Sequence, residues 1–558
     1  MLNSSIIMRE KYGWEFFQNN NTKIWFFNDQ KKNNSEKMIS DMFYILCKPN
    51  TTKNDIIYWI KKIPSHFSIV VESGTFVIAA VDRVCTVPIF VVMRKNEILI
   101  SNYAPMLKKK CAMGSEDLDL SAGLEIYMSG YTIGSKTLYK GLERLEAGEC
   151  VVCHKGLLSR EYYYTYSPWK LNNTSPQDLR KKFTDVCFEV LTNLKDSVDG
   201  RQIVIPLSAG NDSRLIASGL KELGVKNVVC FTYGRKGSFE LPASRSIADK
   251  LGYKWLYIPD NIKNKRNFFK SDVFRKYVHE FESYAAIPNV QDIYEVSQLR
   301  QNSLIDTEAV IVNGNSGDFI SGGHVNVLLD GQKSLKSMNE LNWELFLDKH
   351  YSLWRDCRTA VNDSYIISEL EKILSLRNIS PKSFNKYQYA IMECIELIGR
   401  QSKIVTGQQR AYEYFGYDWR LPLWSNEMLA FWETVPYEDK INQNLYIETL
   451  HENNWGDVWL DIKVNNKVIK PITLRWIRML FKVLFVLAGK SKWNRFDKNV
   501  FEYFIHPSHA LTIEPYFRVL FDFQGHRGTN SWLSRNLLKA NGVNSVHTIV
   551  PQQIKTTI

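Results

Sequence analysis

The sequence predicts an α/β protein with a sheet-rich first part, then a doubly wound parallel sheet, then a helical C-terminal part. Three observations support this prediction. Short β-rich runs separated by turn residues fill the chain to about Tyr166. From Ile203 to Ile258, strand-like runs alternate with segments of helical length, which is typical of parallel βαβ units. Beyond Asn313 the segments are mostly helical in their periodicity and rich in aromatic residues.

The first part is expected to form sheets from apolar runs at 23–27, 67–71, 75–81, 88–92 and 97–100. The stretch from Ser167 to Ser175 is polar and suits a linker. Ser175-Pro176 then starts a helix, because a capping hydroxyl precedes a proline at the first helical position. Two domains are therefore predicted, at 1–168 and 172–558.

The second part is expected to begin with a packed helix, since Leu179, Phe183, Val186, Val190 and Leu194 recur at helical spacing. The alternation that follows predicts strands at 203–207, 228–233 and 255–258, with helices near 213–223 and 240–251. A further strand at 309–313 is expected to extend the same parallel sheet.

Composition excludes collagen-like, mucin-like and largely disordered proteins. The chain has 558 residues, of which 44% are hydrophobic and 23% charged, so it is expected to be globular and multidomain. Its net charge of +12 favours anionic ligands, but nucleic-acid binding is not predicted. The nine cysteines are thinly spread, which favours a reducing compartment. Cys150 and Cys153 are predicted to be alternating strand residues and not a zinc site.

The chain shows no targeting or membrane-spanning signal. Residues 1–14 lack the apolar centre of a signal peptide. The most apolar run, 476–488, carries Arg478 and Lys482 and falls short of the roughly 20 residues that cross a bilayer. A cytoplasmic protein is therefore expected. The basic amphipathic segment 475–492 is predicted to pack as a core helix, with contact to a membrane surface as the alternative.

The first chemical motif is Ser208-Ala-Gly-Asn-Asp-Ser213, at the turn from a predicted strand into a helix. Ligands of parallel sheets collect at these strand ends. Gly210 lets backbone N–H groups approach an anion, and Ser208 and Ser213 add hydroxyls. Asp212 would repel a bare phosphate unless a divalent cation lies between them, so the motif predicts a phosphate site with Mg²⁺.

The second motif follows the strand at 309–313 and reads Gly314-Asn-Ser-Gly-Asp-Phe-Ile-Ser-Gly-Gly-His324. The first motif resembles the pyrophosphate loop of N-type ATP pyrophosphatases, usually S-G-G-x-D-S, with Ala209 in place of a glycine. The second resembles the asparagine synthetase motif G-E-G-x-D-E-x-x-G-G-Y, which matches at Gly314, Asp318, Gly322 and Gly323.

Further stretches extend the resemblance to the asparagine synthetase family over most of residues 20–460. They are Phe231-Thr-Tyr-Gly234, Asp418-Trp-Arg-Leu-Pro-Leu-Trp-Ser425 with Lys440, and Gly74-Thr-Phe, Asp82-Arg83 and Val87-Pro-Ile-Phe90 in the first part. The resemblance implies an Ntn-hydrolase-like first domain and an ATP pyrophosphatase second domain. It also implies ATP bound by Leu207, Ser208, Gly210, Asp212, Ser213, Tyr233 and Gly314, and Mg²⁺ held by Asp212 and Asp318.

Departures from the family pattern bear on the reaction. The glutaminase nucleophile of the family is a cysteine beside the initiator Met, whereas this chain has Leu2 and no cysteine before Cys47, which is expected to be a buried thiol. Glutaminase activity is therefore expected to be absent. The motif glutamate tied to amide formation is Asn315 here. The late catalytic lysine of the family is assigned to Lys467, with Lys463 and Lys470 as alternatives.

The resemblance implies an ATP-dependent ligase that adenylates a carboxylate and passes the acyl group to ammonia or an amine, releasing AMP and pyrophosphate. Aspartate is the family default. The Asn- and Lys-rich composition and the form of the second motif resemble family members found among bacterial surface-polysaccharide genes, where a uronic acid would be amidated. A peptide or lactam cyclase and a non-catalytic scaffold are the alternatives. The assembly is left open, with a homodimer as one candidate.

Overall fold

The structure, a computed structural model, describes residues 3–29, 32–64, 66–94, 97–154, 157–171, 174–234, 236, 238–324, 342–380, 388–462, 472–486, 489, 492–493, 496–497, 500–501, 513–522 and 524–544. Within these ranges the first part of the chain contains strands β1 to β10, at Asn3–Ile6, Trp14–Asn19, Thr22–Asn28, Phe67–Glu72, Phe76–Val81, Phe90–Arg94, Glu97–Ser101, Leu142–Arg144, Glu149–His154 and Leu157–Tyr162. They form a four-stranded sheet, β1-β7-β6-β8, and a six-stranded sheet, β10-β9-β5-β4-β3-β2.

The two sheets pack face to face and are covered on both outer sides by helices. Helices α1 to α4 lie at Lys32–Cys47, Lys53–Lys62, Ala104–Lys110 and Leu120–Ser129. Along β4, Val70 packs between the sheets, whereas Ile69 packs with Ile56 and Trp59 of α2 on the outer face. Leu99 of β7 faces Leu107 of α3 in the same way. This helix–sheet–sheet–helix order is the Ntn-hydrolase-like architecture implied by the resemblance.

The second part is built around a five-stranded sheet in which each described pairing is parallel. Its strands, β11 to β15, lie at Ile203–Pro206, Val228–Gly234, Lys254–Pro259, Val310–Val312 and Asp418–Arg420, in the order β13-β12-β11-β14-β15. In the central strand Ile203, Val204 and Ile205 are all buried, so both faces of the sheet are covered. The predicted α/β class, with its parallel sheet, is confirmed.

Helices α5 to α10 lie at Pro176–Val198, Asn211–Glu222, Glu240–Leu251, Ile262–Phe269, Asp272–Glu280 and Ile293–Gln301. Helices α11 to α21 lie at Gly317–Ile320, Trp343–His350, Ala360–Leu376, Gln388–Glu396, Arg410–Tyr414, Asn426–Trp432, Tyr437–Lys440, Asn444–Asn453, Ile472–Val486, Tyr516–Leu520 and Thr529–Ala540. The predicted cap is present: the Ser175 hydroxyl accepts a hydrogen bond from the backbone N–H of Asp178 at 3.1 Å. The C-terminal part is helical, as predicted.

Two expectations of burial were wrong. Cys47 is exposed, because it ends α1, a helix that sequence analysis did not predict. The helix predicted at 475–492 is present as α19 over 472–486, but it does not pack into a core: Trp476 is 64% exposed and Leu484 is 69% exposed. None of the described helices is long and apolar enough to cross a membrane.

Candidate functional site

The first motif forms the turn between β11 and α6, and its two serines hold the turn together. The Ser208 hydroxyl accepts a hydrogen bond from the backbone N–H of Gly210 at 3.0 Å. The Ser213 hydroxyl accepts one from the backbone N–H of Ser208 at 3.1 Å, and the two hydroxyl oxygens lie 3.3 Å apart. Because Ser208 is exposed, its hydroxyl faces the open side of the turn, where a phosphate can reach it.

Ala209, the departure from the family loop, is fully buried and fits without displacing the turn. Its carbonyl accepts a hydrogen bond from Nη2 of Arg214 at 2.7 Å. Its backbone N–H donates to a carboxylate oxygen of Glu240, the first residue of α7, at 2.7 Å. The N–H of Ala209 is therefore already occupied by a side-chain carboxylate of the protein.

The second motif lies against the first, and its glycines are required by that contact. A Cβ atom on Gly314 would lie 2.8 Å from the backbone nitrogen of Ser213. A Cβ on Gly317 would lie 2.5 Å from Oδ1 of Asp212. Gly322 has a φ of +96°, a backbone conformation that residues with a side chain rarely adopt. A Cβ added there would clash with the carbonyl oxygen of Lys440. The glycine pattern is thus explained by two turns in direct contact.

The two motif aspartates are brought together, as predicted. Oδ2 of Asp212 accepts a hydrogen bond from the backbone N–H of Asp318 at 2.9 Å, and Oδ1 accepts one from the Tyr446 hydroxyl at 3.0 Å. Burial, followed by the nearby Asp318 carboxylate, raises the pKa of Asp212 to about 7. The Asp318 side chain is 60% exposed, so its oxygens are open to a ligand.

This carboxylate pair fits the ligand preference of Mg²⁺, which binds oxygen and usually takes one or two protein carboxylates together with substrate phosphates. The Asp318 carboxylate contributes to the raised pKa of Asp212, and a bound cation would offset this repulsion. Among the described residues, no group of three or more His, Cys, Asp or Glu side chains could hold a metal ion. The site therefore offers two carboxylates, and phosphate oxygens of a substrate would supply further ligands for Mg²⁺.

A buried charge cluster that sequence analysis missed lies behind Asp318. Nε2 of His324 lies 3.6 Å from Oδ2 of Asp318, and Nδ1 of His324 lies 2.6 Å from Oε1 of Glu396. Glu396 is buried and has four further polar neighbours: His350 at 3.1 Å, Gln401 at 2.9 Å, and Lys349 and Arg400 at 3.5 Å each. Despite the cost of burial, the two histidines hold the pKa of Glu396 well below its ordinary value.

The position of the family glutamate is part of a hydrogen-bond network that leads to the buried carboxyl group of Asp292. The side-chain amide of Asn315 donates to Oε1 of Gln408 at 2.5 Å, and Gln408 in turn donates to Asp292. Asp292 is buried and also accepts from the Tyr412 hydroxyl at 2.9 Å. Asn315 is therefore held by a neutral amide, and as an amide it cannot act as a general base.

These residues border one cleft with a volume of about 580 Å³, within the usual range for small-molecule sites. The structure places all of the described residues predicted for ATP and Mg²⁺ on its walls: Leu207, Ser208, Gly210, Asp212, Ser213, Tyr233, Gly314 and Asp318. Lining residues that were not predicted for ATP or Mg²⁺ include Thr232, Glu240, Gln291, Asp292, Gln408 and Gln443. Lys467 and its alternatives Lys463 and Lys470 lie outside the described residues, so this assignment stays a prediction.

The two face-to-face sheets of the first part form a sandwich, and β1 is its first strand in the chain. The polar groups near β1 differ from those of the cleft. Leu2 lies outside the described residues, and the Ser4 hydroxyl on β1 donates to Oε1 of Glu72 at 2.8 Å. Cys85, the next cysteine after Cys47, is buried, and burial raises its pKa. A buried thiol with a raised pKa is a poor nucleophile.

No family model matches the chain, and no curated protein does. Among solved structures, NH3-dependent NAD synthetase from Campylobacter jejuni is 16% identical over 39% of this chain and 93% of its own, with a TM-score of 0.19. NMN synthetase from Francisella tularensis is 13% identical over 27% and 59%, with a TM-score of 0.18. Glutamine phosphoribosylpyrophosphate amidotransferase from B. subtilis is 11% identical over 54% and 63%, with a TM-score of 0.17. This chain thus spans less than two thirds of the length of the last two proteins.

Proposed function

We propose that this protein is an ATP-dependent ligase of the asparagine synthetase type, which adenylates a carboxylate and transfers the acyl group to a nitrogen nucleophile. The observation that carries the proposal is the contact between the two motif turns, with Asp212 and Asp318 side by side above a phosphate-type loop. Two adjacent carboxylates repel each other without a cation, so their pairing supports a cation-binding role more than a scaffold role.

In the proposed reaction an oxygen of the substrate carboxylate attacks the α-phosphorus of ATP, and pyrophosphate leaves. The nitrogen nucleophile then attacks the acyl carbon, loses a proton and displaces AMP. Ser208, Gly210 and Ser213 would hold the pyrophosphate through hydroxyl and N–H groups at the start of α6. Asp212 and Asp318 would hold Mg²⁺, which would neutralise part of the charge of the leaving pyrophosphate. Tyr446 would fix the orientation of Asp212 through its hydrogen bond.

The acceptor is proposed to be a small carboxylate, either aspartate or a uronic acid, and the nitrogen donor ammonia or an amine. Asn315 favours an acceptor other than aspartate, because the family glutamate at this position is tied to amide formation. Lys467 is proposed to stabilise the adenylate, and Lys463 and Lys470 stay as alternatives.

Pyrophosphate release tests the proposal. Purified protein with ATP and Mg²⁺ is screened against aspartate, uronic acids, nucleotide-linked uronic acids and a cell metabolite extract. Asp318→Asn should lower release at least about a hundredfold, as expected when a group that meets developing charge is lost. Its melting temperature should change little, since the Asp318 side chain is exposed.

Asp306→Asn is the matched control, because Asp306 is an exposed aspartate that precedes β14 at the opposite end of the strand. It should leave pyrophosphate release unchanged. If every acceptor and the extract give no more pyrophosphate than the Asp318→Asn protein, adenylation is refuted and the scaffold becomes the better account.

Glutamine is proposed not to be the nitrogen source within this chain. The reason is that the first cysteine of the sequence, Cys47, lies exposed at the end of α1, and the next, Cys85, is buried with a raised pKa. Glutamate release from glutamine by the purified protein should stay at the level of a buffer blank. A turnover on the order of 1 s⁻¹ or more, typical of enzymes, would show that another group serves as nucleophile.

A further inference from the structure

The helix α19 carries an exposed apolar stripe that the proposed function does not use. Trp476, Leu480, Val483 and Leu484 are 64%, 68%, 65% and 69% exposed. At about 100° per residue they fall on one side of the helix. Large exposed apolar patches on a folded protein mark surfaces that bind something.

The opposite side of α19 has partners, although Phe481 is still 38% exposed. Phe481 and Phe496 have ring centroids 5.1 Å apart, and those of Phe485 and Trp493 lie 5.9 Å apart. Arg478 donates two hydrogen bonds to the Asp497 carboxylate, at 2.5 and 2.8 Å. The helix is therefore held by its inner side, and the stripe points away from the residues that hold it.

Positive charge is concentrated in the same segment. Residues 463–498 contain ten Lys and Arg residues and one acidic residue, Asp497. The rest of the chain carries 61 basic and 58 acidic side chains. Nine of the twelve net positive charges thus lie in this stretch. Arg475 and Lys482, both exposed, lie together along one edge of the apolar stripe.

We propose that α19 docks this protein onto an anionic lipid bilayer, lying in the plane of the membrane surface. The apolar stripe would enter the boundary between headgroups and acyl chains, and Arg475 and Lys482 would extend to lipid phosphates. A helix of 15 residues spans about 22 Å, less than the hydrocarbon core of about 30 Å, so the mode is surface binding. Charge complementarity selects the lipid surface over a second copy of the chain, because two copies would bring their basic segments together.

Vesicle flotation with the full-length protein tests the proposal. The protein should float with vesicles of phosphatidylcholine mixed with phosphatidylglycerol and much less with phosphatidylcholine alone. Raising the ionic strength from about 0.1 to about 0.5 M should weaken binding, because it shortens the screening length. Equal binding to neutral and anionic vesicles, or no binding to either, would overturn the proposal.

Two double variants locate the contact. Leu480→Glu with Leu484→Glu should lower the partition coefficient at least tenfold, and Arg475→Glu with Lys482→Glu should lower it on anionic vesicles by roughly fivefold or more per charge. The matched controls are Leu157→Glu with Leu376→Glu, whose leucines are 79% and 60% exposed elsewhere, and Lys61→Glu with Lys62→Glu on α2. Controls that lose binding to the same extent would assign it to overall charge or apolarity and refute a role for α19.

Light scattering tests whether a second copy of the chain, and not a lipid surface, covers the apolar stripe. The protein should have the same mass in solution with and without the Leu480→Glu and Leu484→Glu substitutions. A dimer that is lost in this variant would show that a second copy covers the stripe, and the membrane proposal would fail. All variants should keep the pyrophosphate activity proposed above, so loss of lipid binding and loss of catalysis are read independently.

Discussion

Asp82 in the sandwich and Asp318 in the parallel-sheet part both follow a buried strand, yet they are used in opposite ways. Asp82, after β5, is 1% exposed and accepts hydrogen bonds from the backbone N–H groups of Val84 and Thr86 at 2.8 and 3.1 Å. Asp318, after β14, has a side chain that is 60% exposed and borders the cleft. Asp82 is buried within its own turn and supports the fold. Asp318 also accepts a hydrogen bond from its own turn, from the backbone N–H of Phe319 at 2.8 Å, but its side chain stays exposed in a concave site where a ligand can reach it.

The same contrast holds for the two regions as a whole. In the sandwich, polar side chains are paired within the fold. His66 lies 2.9 Å from a carboxylate oxygen of Asp29, and the Ser101 hydroxyl donates to the backbone carbonyl of Ile7 at 2.6 Å. In the cleft, the exposed groups converge on one space of about 580 Å³. These polar groups of the sandwich are therefore in structural use. The cleft, by contrast, is bordered by carboxylate and hydroxyl groups that a ligand can reach.

The largest expected effect would come from breaking the contact between the two turns. Gly314→Ala places a Cβ 2.8 Å from the backbone nitrogen of Ser213, so one turn has to move. Affinity for ATP with Mg²⁺, measured by calorimetry, should fall at least tenfold, and the free energy of unfolding should fall by about 1–3 kcal/mol.

Gly74→Ala is the control for this prediction, because a Cβ on Gly74 would meet no atom within 4 Å and its φ is not in the left-handed region. It should leave both quantities nearly unchanged. An unaltered ATP affinity in Gly314→Ala would mean that the nucleotide does not depend on the contact between the turns.

A smaller effect, on stability alone, is expected in the sandwich. Asp82→Ala leaves the buried donors of Val84 and Thr86 without their acceptor. The free energy of unfolding, from urea titration, should fall by about 2 kcal/mol, while ATP affinity stays unchanged. The exposed Asp41, replaced by Ala, should change stability by less than about 0.5 kcal/mol. Loss of ATP binding in Asp82→Ala with retained folding would contradict the division between the two regions.

Sequence patterns predicted the sheet and the phosphate turns because local rules decide them. The apolar run at Ile203 and the turn residues of the first motif carry their structural reason within a few residues. Gly314 and Gly317 are recognisable by their spacing, but their structural reason is a contact with Ser213 and Asp212, which lie far earlier in the chain. Helix α1 was missed, since its first turn is Lys, Asn, Asn and Ser, which favour other conformations as strongly as a helix. The cluster around Glu396 was missed because its partner His324 is 72 residues away, a distance that no local pattern encodes.

The smallest expected effect, when counted per pH unit, concerns Lys403, which joins the two regions. Its Nζ donates to the carbonyl oxygens of Thr132 and Gly134 at 2.6 and 2.5 Å, and burial, followed by the Arg144 charge, lowers its pKa to about 7. In the unfolded chain the pKa of a lysine is about 10.4. Between these values the unfolded state binds more protons, so Lys403 makes stability rise with pH, by at most about 1.4 kcal/mol per pH unit.

Lys403→Met removes this titration. Stability of the parent protein minus that of the variant, from urea titrations at matched pH, should therefore increase from about pH 7 to about pH 9.5 and level off below pH 7. Lys195, in the last turn of α5, is the control, since its replacement should leave the pH dependence of the parent intact. Parallel curves for the parent and Lys403→Met would show that the lysine keeps its charge in the folded protein. The three carbonyl and hydroxyl oxygens around its ammonium group would then outweigh burial at this junction.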